Sequence, residues 1–240
     1  MNLICIFVIQ NLNRMKKIIF SIILFAYNFS FSQNGMVLSK SDFADGGTFS
    51  GMINSQRAGK NLNYDEIVGS PYTNSNFLLA KIAENYENVP IRYNSYMDQI
   101  EFEKDGAVMV LPKDSRFSRI EILSPRETLV SIDTKDDLRG YFYELVNGDV
   151  SLYKKIKTKF IDFVPAANSY SSDKPATFRT QDPVYYIKIQ DIFLKKLTQK
   201  EVIEQFPNKK ESLKQFFKEN NTKFNKEEDL KKLVFFLNSN

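Results

Sequence analysis

Short alternating segments in the middle of the chain most constrain its fold. Between residues 77 and 189, nine runs of strand length carry apolar residues in alternation with polar ones or as short apolar stretches. They cover residues 77–83, 89–94, 97–103, 107–111, 117–123, 128–133, 141–146, 151–161 and 184–189. Because most of the intervals are too short for a crossover helix, the pattern predicts an antiparallel meander.

Two turn signals support this prediction. Asp105-Gly106 lies between an alternating run and an apolar run, and Asn147-Gly148-Asp149 separates the segments 141–146 and 151–161. Asn, Asp and Gly readily adopt the positive backbone φ angles that tight hairpin turns require. The sequence therefore predicts a hairpin at each of these two positions.

Alternation also predicts which side chains share a face of the sheet. The inward set is mostly aliphatic and aromatic: Ile100, Phe102, Tyr141, Tyr143, Leu145, Leu152, Ile156, Phe160, Tyr185, Ile187 and Ile189. The outward set is charged: Glu101, Glu103, Lys155, Lys157 and Lys159.

After Thr198 the apolar period becomes helical. Three pairs, each a capping residue followed three positions later by Glu, indicate helix starts. They are Thr198 with Glu201, Asn208 with Glu211, and Asn225 with Glu228. The sequence thus predicts an α+β fold, in which an antiparallel β-meander, as a curved or barrel-like sheet, precedes a C-terminal unit of three short helices.

The predicted organisation has four parts. Residues 1–32 are predicted to be a signal peptide, because Lys16-Lys17 precede an apolar run that ends in small residues before Gln33, and Met15 is the expected start. Residues 33–76 are an irregular arm, 77–190 the antiparallel β domain, and 191–240 a helical unit packed on it. The apolar run is about half the ~20 residues that a spanning helix needs, so no transmembrane span is expected after leader removal.

Composition excludes several chemistries. The chain has no histidine and a single cysteine, Cys5, which lies in the predicted leader. Histidine-dependent nucleophiles, histidine-ligated metals and disulfides are therefore excluded, and no catalytic residue, metal or cofactor is assigned. Removing residues 1–32 removes three basic residues and no acid, so the net charge falls from +4 to +1. Nucleic acid is not an expected partner of such a chain.

An acidic cluster is one candidate site, formed by Asp98, Glu101, Glu103 and Asp105. A pair of carboxylates can perform acid–base catalysis on a glycoside, and carboxylate oxygens can bind calcium. The simpler interpretation is the solvated outer face of a hairpin.

A lysine row is the second candidate, formed by Lys155, Lys157 and Lys159 on one face of a strand. Such a row can bind the phosphates of lipopolysaccharide or another anionic glycan. Lysines on an exposed strand also discourage edge-to-edge aggregation, and this alternative interpretation stays open.

Several motifs stand out along the chain: Gly69-Ser70-Pro71-Tyr72, residues 89–94 and 98–102, Gly140-Tyr141-Phe142, residues 145–148, and the ending at 226–234. In these motifs the chain resembles a family of exported proteins of Gram-negative bacteria to which no activity is assigned. The resemblance implies a leader, a Gly-Ser-Pro-Tyr turn, a β-rich middle and a basic helical tail, without a site to carry over.

Taken together, these features predict an exported binding or structural module of the cell envelope, periplasmic or associated with the outer surface. Its expected partner is an envelope protein or glycan. The alternative is a carboxylate-dependent hydrolase that acts on an envelope glycan.

Overall fold

The computed structural model describes residues 66–168, 170–195 and 197–239; the predicted leader and residues 33–65 of the predicted arm lie outside them. The described residues form twelve strands: β1 Leu78–Lys81, β2 Val89–Asn94, β3 Gln99–Lys104, β4 Ala107–Val110, β5 Arg119–Ile122, β6 Glu127–Ile132, β7 Gly140–Val146, β8 Val150–Lys155, β9 Thr158–Ile161, β10 Thr177–Thr180, β11 Val184–Ile189 and β12 Ile192–Lys195. Three α-helices follow: α1 Gln199–Gln205, α2 Lys210–Asn220 and α3 Glu227–Asn238.

Ten of these strands form one antiparallel sheet in the order β12-β11-β8-β7-β6-β5-β1-β2-β3-β4, with β12 and β4 at its edges. The predicted α+β class, with a meandering antiparallel sheet and a C-terminal unit of three helices, is confirmed. The sheet that the described residues form is open and is not closed on itself. β9 and β10 form a separate two-stranded sheet.

Both predicted hairpins are present. β3 and β4 pair from Glu101↔Val110 to Lys104↔Ala107, and the turn residues Asp105 and Gly106 have φ angles of 51° and 72°. β7 and β8 flank the second turn at residues 147–149 and pair from Tyr143↔Lys154 to Val146↔Leu152. The predicted positive φ angles are found at the first turn, whereas none of residues 147–149 has one, so the second pairing was predicted correctly but without that backbone conformation.

Three features of the strands were not predicted from the sequence. Segment 151–161, predicted as one strand, is divided into β8 and β9, and β9 leaves the main sheet to pair with β10. β10, which has only four residues, was not predicted as a strand. β12 follows a turn at Gln190, whose φ is 53° although no Gly or Pro marks the position. As a result the main sheet extends to Lys195, past the residue where the β region was predicted to end.

Side chains are buried on both faces of the central strands. Tyr141 and Tyr143 of β7 belong to one large apolar cluster with Ile100 and Phe102, whereas Phe142, between them, belongs to another cluster on the opposite face. All three consecutive β7 residues are buried. Alternation therefore sorts side chains between faces correctly here, but it does not show that one of the faces is exposed to water.

The helical unit packs on β7, β8 and β11. Apolar residues of the three helices form a shared cluster with Leu152 and Ile187. At the end of α3, the Asn238 amide donates to the Val150 carbonyl at 2.8 Å, and its Oδ1 accepts from the Val150 N–H at 2.9 Å. This pair of hydrogen bonds joins the last helix to the first residue of β8.

Only one of the three predicted helix caps is formed. Thr198 Oγ1 accepts from the Glu201 N–H at 3.3 Å, and the Glu201 carboxylate accepts from the Thr198 N–H at 2.8 Å. The predictions at Asn208 and Asn225 were wrong, because α2 and α3 each begin one residue later than those caps require. A single 3₁₀ turn, Pro207–Lys209, runs directly into α2 and occupies the position of the predicted cap.

Candidate functional site

The Asp98 carboxylate accepts four hydrogen bonds at the turn between β2 and β3. Its Oδ1 accepts from Tyr93 Oη at 2.8 Å, from the Tyr141 N–H at 3.1 Å and from Lys155 Nζ at 2.6 Å. Its Oδ2 accepts from Lys113 Nζ at 3.1 Å. Burial by itself raises the pKa of Asp98, but Lys155, Lys113 and Tyr93 outweigh it and lower the pKa below its usual value.

Gly140 makes room for this carboxylate. A Cβ atom at this position would lie 1.7 Å from Asp98 Oδ2, and the Gly140 φ of 128° is rarely adopted by other residues. The glycine that opens the Gly140-Tyr141-Phe142 motif is thus required by the close approach of an acidic side chain from a distant turn.

Lys155 is buried, contrary to the prediction that it points into solvent. Its side chain is only 4% exposed, and Nζ donates to Asp98 at 2.6 Å and to the Tyr141 carbonyl at 2.9 Å. Burial lowers the pKa of Lys155, while the Asp98 carboxylate opposes this effect. The prediction failed because the turn between β2 and β3 covers this end of β8, so Lys155 cannot belong to an exposed lysine row.

Glu101 is also buried, again contrary to its predicted outward position. Its side chain is 0% exposed, and Oε2 accepts from Arg92 Nη2 at 2.7 Å and from Arg92 Nε at 2.9 Å. The Tyr72 hydroxyl donates to the same carboxylate at 3.1 Å. The Arg92 guanidinium lies 3.9 Å from the Tyr72 ring centre and 4.4 Å from that of Phe77. The segment that contains the Gly-Ser-Pro-Tyr motif therefore covers this face of the sheet.

The four acidic candidates do not form a common site. Asp98 and Glu101 are each bound to their own basic partner, whereas Glu103 and Asp105 are exposed at the β3–β4 hairpin. Within the described part of the chain, no three acidic side chains come together as metal ligands. Asp98 and Glu101 act here as structural anions that hold neighbouring segments together.

The two remaining lysine candidates lie on the hairpin β9–β10, together with an arginine that the sequence analysis did not select. Lys159 is paired directly with Arg179 across the two strands, so both side chains are on one face. Lys157 precedes Lys159 by two residues, and its carbonyl accepts from the Gln181 N–H at 2.8 Å, which continues the pairing. We call Lys157, Lys159 and Arg179 the basic face.

Packing on the other side of the hairpin fixes the direction of the basic face. Phe160 and Phe178 pair across the strands, and their rings lie 6.4 Å and 5.6 Å from the ring of Tyr96. Thr158 Oγ1 lies 2.7 Å from Ser95 Oγ. Because these contacts bury the inner side chains against the β2–β3 turn, Lys159 and Arg179 point away from the fold and are exposed.

Within residues 66–168, 170–195 and 197–239, no acidic side chain is paired with the basic face. None of its three cations forms an ion pair with any residue in the described ranges. Arg179 was missed in the sequence because β10 was not predicted as a strand, so its pairing with the lysine row could not be inferred. The alternate spacing of Lys157 and Lys159 placed these two side chains on one face of a strand, but it gave no sign of β10.

An apolar crevice of about 190 Å³ lies elsewhere, between β11 and the helical unit. Tyr185, Leu197, Phe224 and Asn225 are among the residues that line it. None of the predicted site residues contacts this crevice, so it is separate from the basic face.

Comparison with known protein families, curated proteins and solved structures gave no match to the chain. The resemblance to exported Gram-negative proteins therefore stays a prediction. Among the residues that the structure describes, no helix has the length and apolar character needed to cross a membrane.

Proposed function

We propose that this protein is an exported module of the cell envelope that binds an anionic envelope component through the basic face. The observation that carries the proposal is the arrangement of Lys157, Lys159 and Arg179, three cations on one surface with no acidic partner in the described chain. Neighbouring cations of this kind attract phosphate or carboxylate groups. Export is inferred from the leader predicted at residues 1–32.

The cross-strand pair Lys159–Arg179 favours a role in binding a ligand over a purely structural role. Like charges directly opposite each other destabilise a pair of strands. The size of the effect is about 0.2–1 kcal/mol, the range typical of cross-strand side-chain pairs. The cross-strand partner of Arg92, by contrast, is an anion, Glu101, with which it forms an ion pair. An anion bound between Lys159 and Arg179 would relieve the repulsion that the fold leaves in place.

Among the acidic candidates, Asp98 has an indirect role in the proposed binding. Asp98 and its basic partners hold the turn between β2 and β3, and Ser95 and Tyr96 of the same turn anchor the hairpin β9–β10. The ionised carboxylate thus helps to position the hairpin without contacting the ligand.

Titration calorimetry with phosphorylated dextran tests the proposal. The protein is purified from the cell fraction in which it accumulates, and neutral dextran serves as the comparison polymer. We expect binding to the phosphorylated polymer only, and we expect it to weaken when salt rises from about 50 to about 200 mM, because screening reduces the attraction.

A double variant, Lys159→Glu/Arg179→Glu, should lose this binding while keeping the wild-type thermal transition. The matched control is Lys218→Glu/Lys232→Glu, which makes the same change in net charge at two exposed helix positions. Equal binding by the wild type and the Lys159/Arg179 variant would overturn the proposal, as would equal losses in both variants.

A further inference from the structure

The surface that carries the basic face continues into exposed aliphatic side chains. In β9 the residue two positions after Lys159 is Ile161, which therefore lies on the same face, and its side chain is 40% exposed. Val68, 53% exposed, is bridged in parallel register to Thr177, the cross-strand partner of Ile161. We call Ile161 and Val68 the aliphatic row.

Register places the aliphatic row directly beside the cations. Lys159↔Arg179 and Ile161↔Thr177 are successive pairs on the outward face of one hairpin, and an isolated parallel bridge places Val68 beside Thr177 of the second pair. Backbone hydrogen bonds hold Val68 beside β10, since the Phe178 N–H donates to the Val68 carbonyl at 2.8 Å and the Val68 N–H donates to the Ala176 carbonyl at 2.9 Å. The cationic and the apolar parts of the surface thus belong to one hydrogen-bonded element.

This combination matches the layered chemistry of a membrane surface. Anionic headgroups attract lysine and arginine side chains, while aliphatic side chains are stabilised at the boundary between headgroups and acyl chains. A soluble anionic polymer would use the cations and leave Ile161 and Val68 in water. A purely apolar protein partner would leave the three cations unpaired.

Resting on the proposed function, we infer that this face docks on an anionic lipid surface. The headgroups bind Lys157, Lys159 and Arg179, and the aliphatic row contacts the adjoining acyl region. Charge complementarity selects the partner, because the described residues supply no anion to these cations. The protein then lies on the membrane through the hairpin β9–β10, without spanning it.

Flotation with lipid vesicles tests the inference. The full protein is mixed with vesicles of phosphatidylcholine alone, or of phosphatidylcholine with one quarter phosphatidylglycerol. We expect flotation with the anionic vesicles only. Since each basic residue near such a surface contributes about 1 kcal/mol, Lys159→Glu/Arg179→Glu should weaken partitioning about 30-fold or more. Equal flotation with both kinds of vesicle would overturn the inference.

The aliphatic row has a closely matched control. Ile161→Ser/Val68→Ser should weaken vesicle partitioning about tenfold and leave binding to phosphorylated dextran unchanged. Leu79→Ser/Leu123→Ser removes two aliphatic side chains of similar exposure, 49% and 41%, at another place in the fold, and should partition like the wild type. Wild-type partitioning by the Ile161/Val68 variant would overturn the inference.

The two proposals fail in different ways. Binding to phosphorylated dextran without binding to anionic vesicles would overturn the lipid inference and leave the proposed function standing. Absence of both would overturn both. Light scattering adds a third readout: if the aliphatic row mediates self-association and the anionic vesicles bind no protein, a second copy is the occupant and the lipid inference fails.

Discussion

Lys155 Nζ lies 2.6 Å from Asp98 Oδ1 and joins the end of β8 to the turn between β2 and β3. These residues are 57 positions apart in the sequence, and β8 and β2 are separated by four strands in the sheet. The ion pair therefore connects parts of the sheet that the strand ladder does not join directly. The turn it holds is also the one on which the hairpin β9–β10 packs.

Removing the Asp98 charge should be strongly destabilising. Asp98→Asn leaves the Lys155 ammonium buried beside a neutral amide, and the loss of one partner of a buried pair typically costs about 3–5 kcal/mol. Urea denaturation measures the change in unfolding free energy. The double variant Asp98→Asn/Lys155→Met should recover part of the loss, since no buried charge remains. Lys113→Ala, which removes the half-exposed partner of Asp98, should cost less than about 1 kcal/mol.

Gly140→Ala should destabilise the fold by about 3 kcal/mol or more, because its Cβ would overlap Asp98 Oδ2 and its backbone φ of 128° is unfavourable for alanine. Gly106→Ala is the control. Gly106 also has a positive φ, 72°, but a Cβ there would meet no atom within 4 Å, so a cost of about 1 kcal/mol is expected. Similar losses of unfolding free energy in the two variants would contradict the steric role of Gly140.

Lowering the pH should destabilise the protein, in part because Asp136 becomes protonated. Burial raises the pKa of this carboxyl, but hydrogen bonds from Thr134, Tyr186 and the Leu138 N–H, together with Lys195, lower it to about 2. Because this pKa lies below its value of about 3.9 in an unfolded chain, the ionised carboxylate stabilises the fold above pH ~4, and the stabilisation is lost as the pH falls toward 2. Asp136 is about one third exposed, so about 1–2 kcal/mol is expected.

Unfolding free energies measured from about pH 5 down to about pH 2 test this prediction, because carboxyls of this kind titrate within that range. Asp136→Asn should show a shallower loss than the wild type, while Asp105→Asn, at an exposed turn, should follow the wild-type curve. Identical slopes for the wild type and Asp136→Asn would show that Asp136 is not responsible.

Helix capping provides a test at the surface. Thr198→Ala removes the cap of α1 and should cost about 1 kcal/mol. Asn208→Ala changes a residue with a similar capping preference that forms no cap here, and should cost nearly nothing. Thermal unfolding followed by circular dichroism distinguishes the two, and a larger effect at Asn208 would mean that α2 begins earlier than observed.

Local patterns predicted much of the fold because they act over a few residues. The Asp105-Gly106 turn and the Thr198–Glu201 cap need only neighbouring backbone and side chains, so both could be inferred before the structure. Asn208 and Asn225 show the limit, since the same local signal is present but the helices begin elsewhere. At Asn208 the 3₁₀ turn Pro207–Lys209 takes the place of the predicted cap.

The candidate site was predicted only in part, for a related reason. Of the three lysines predicted to form an exposed row, Lys159 is exposed and Lys157 is half-buried, whereas Lys155 leaves the row for a buried ion pair with Asp98. Arg179 joins the row because β10 pairs with β9. This pairing includes Thr158 and Thr180, which are 22 positions apart in the sequence. Alternation along a single strand contains no information about either event.

The amino-acid sequence alone determined the alternation, the two hairpin turns, the helical ending and the absence of histidine chemistry, since each depends on residue type and local spacing. Only the tertiary structure decided that Glu101 and Lys155 are buried, that Arg179 lies beside Lys159, and that aliphatic side chains adjoin these cations. Burial and charge pairing depend on which distant segment covers a face, and that choice is made by the packing of the whole chain.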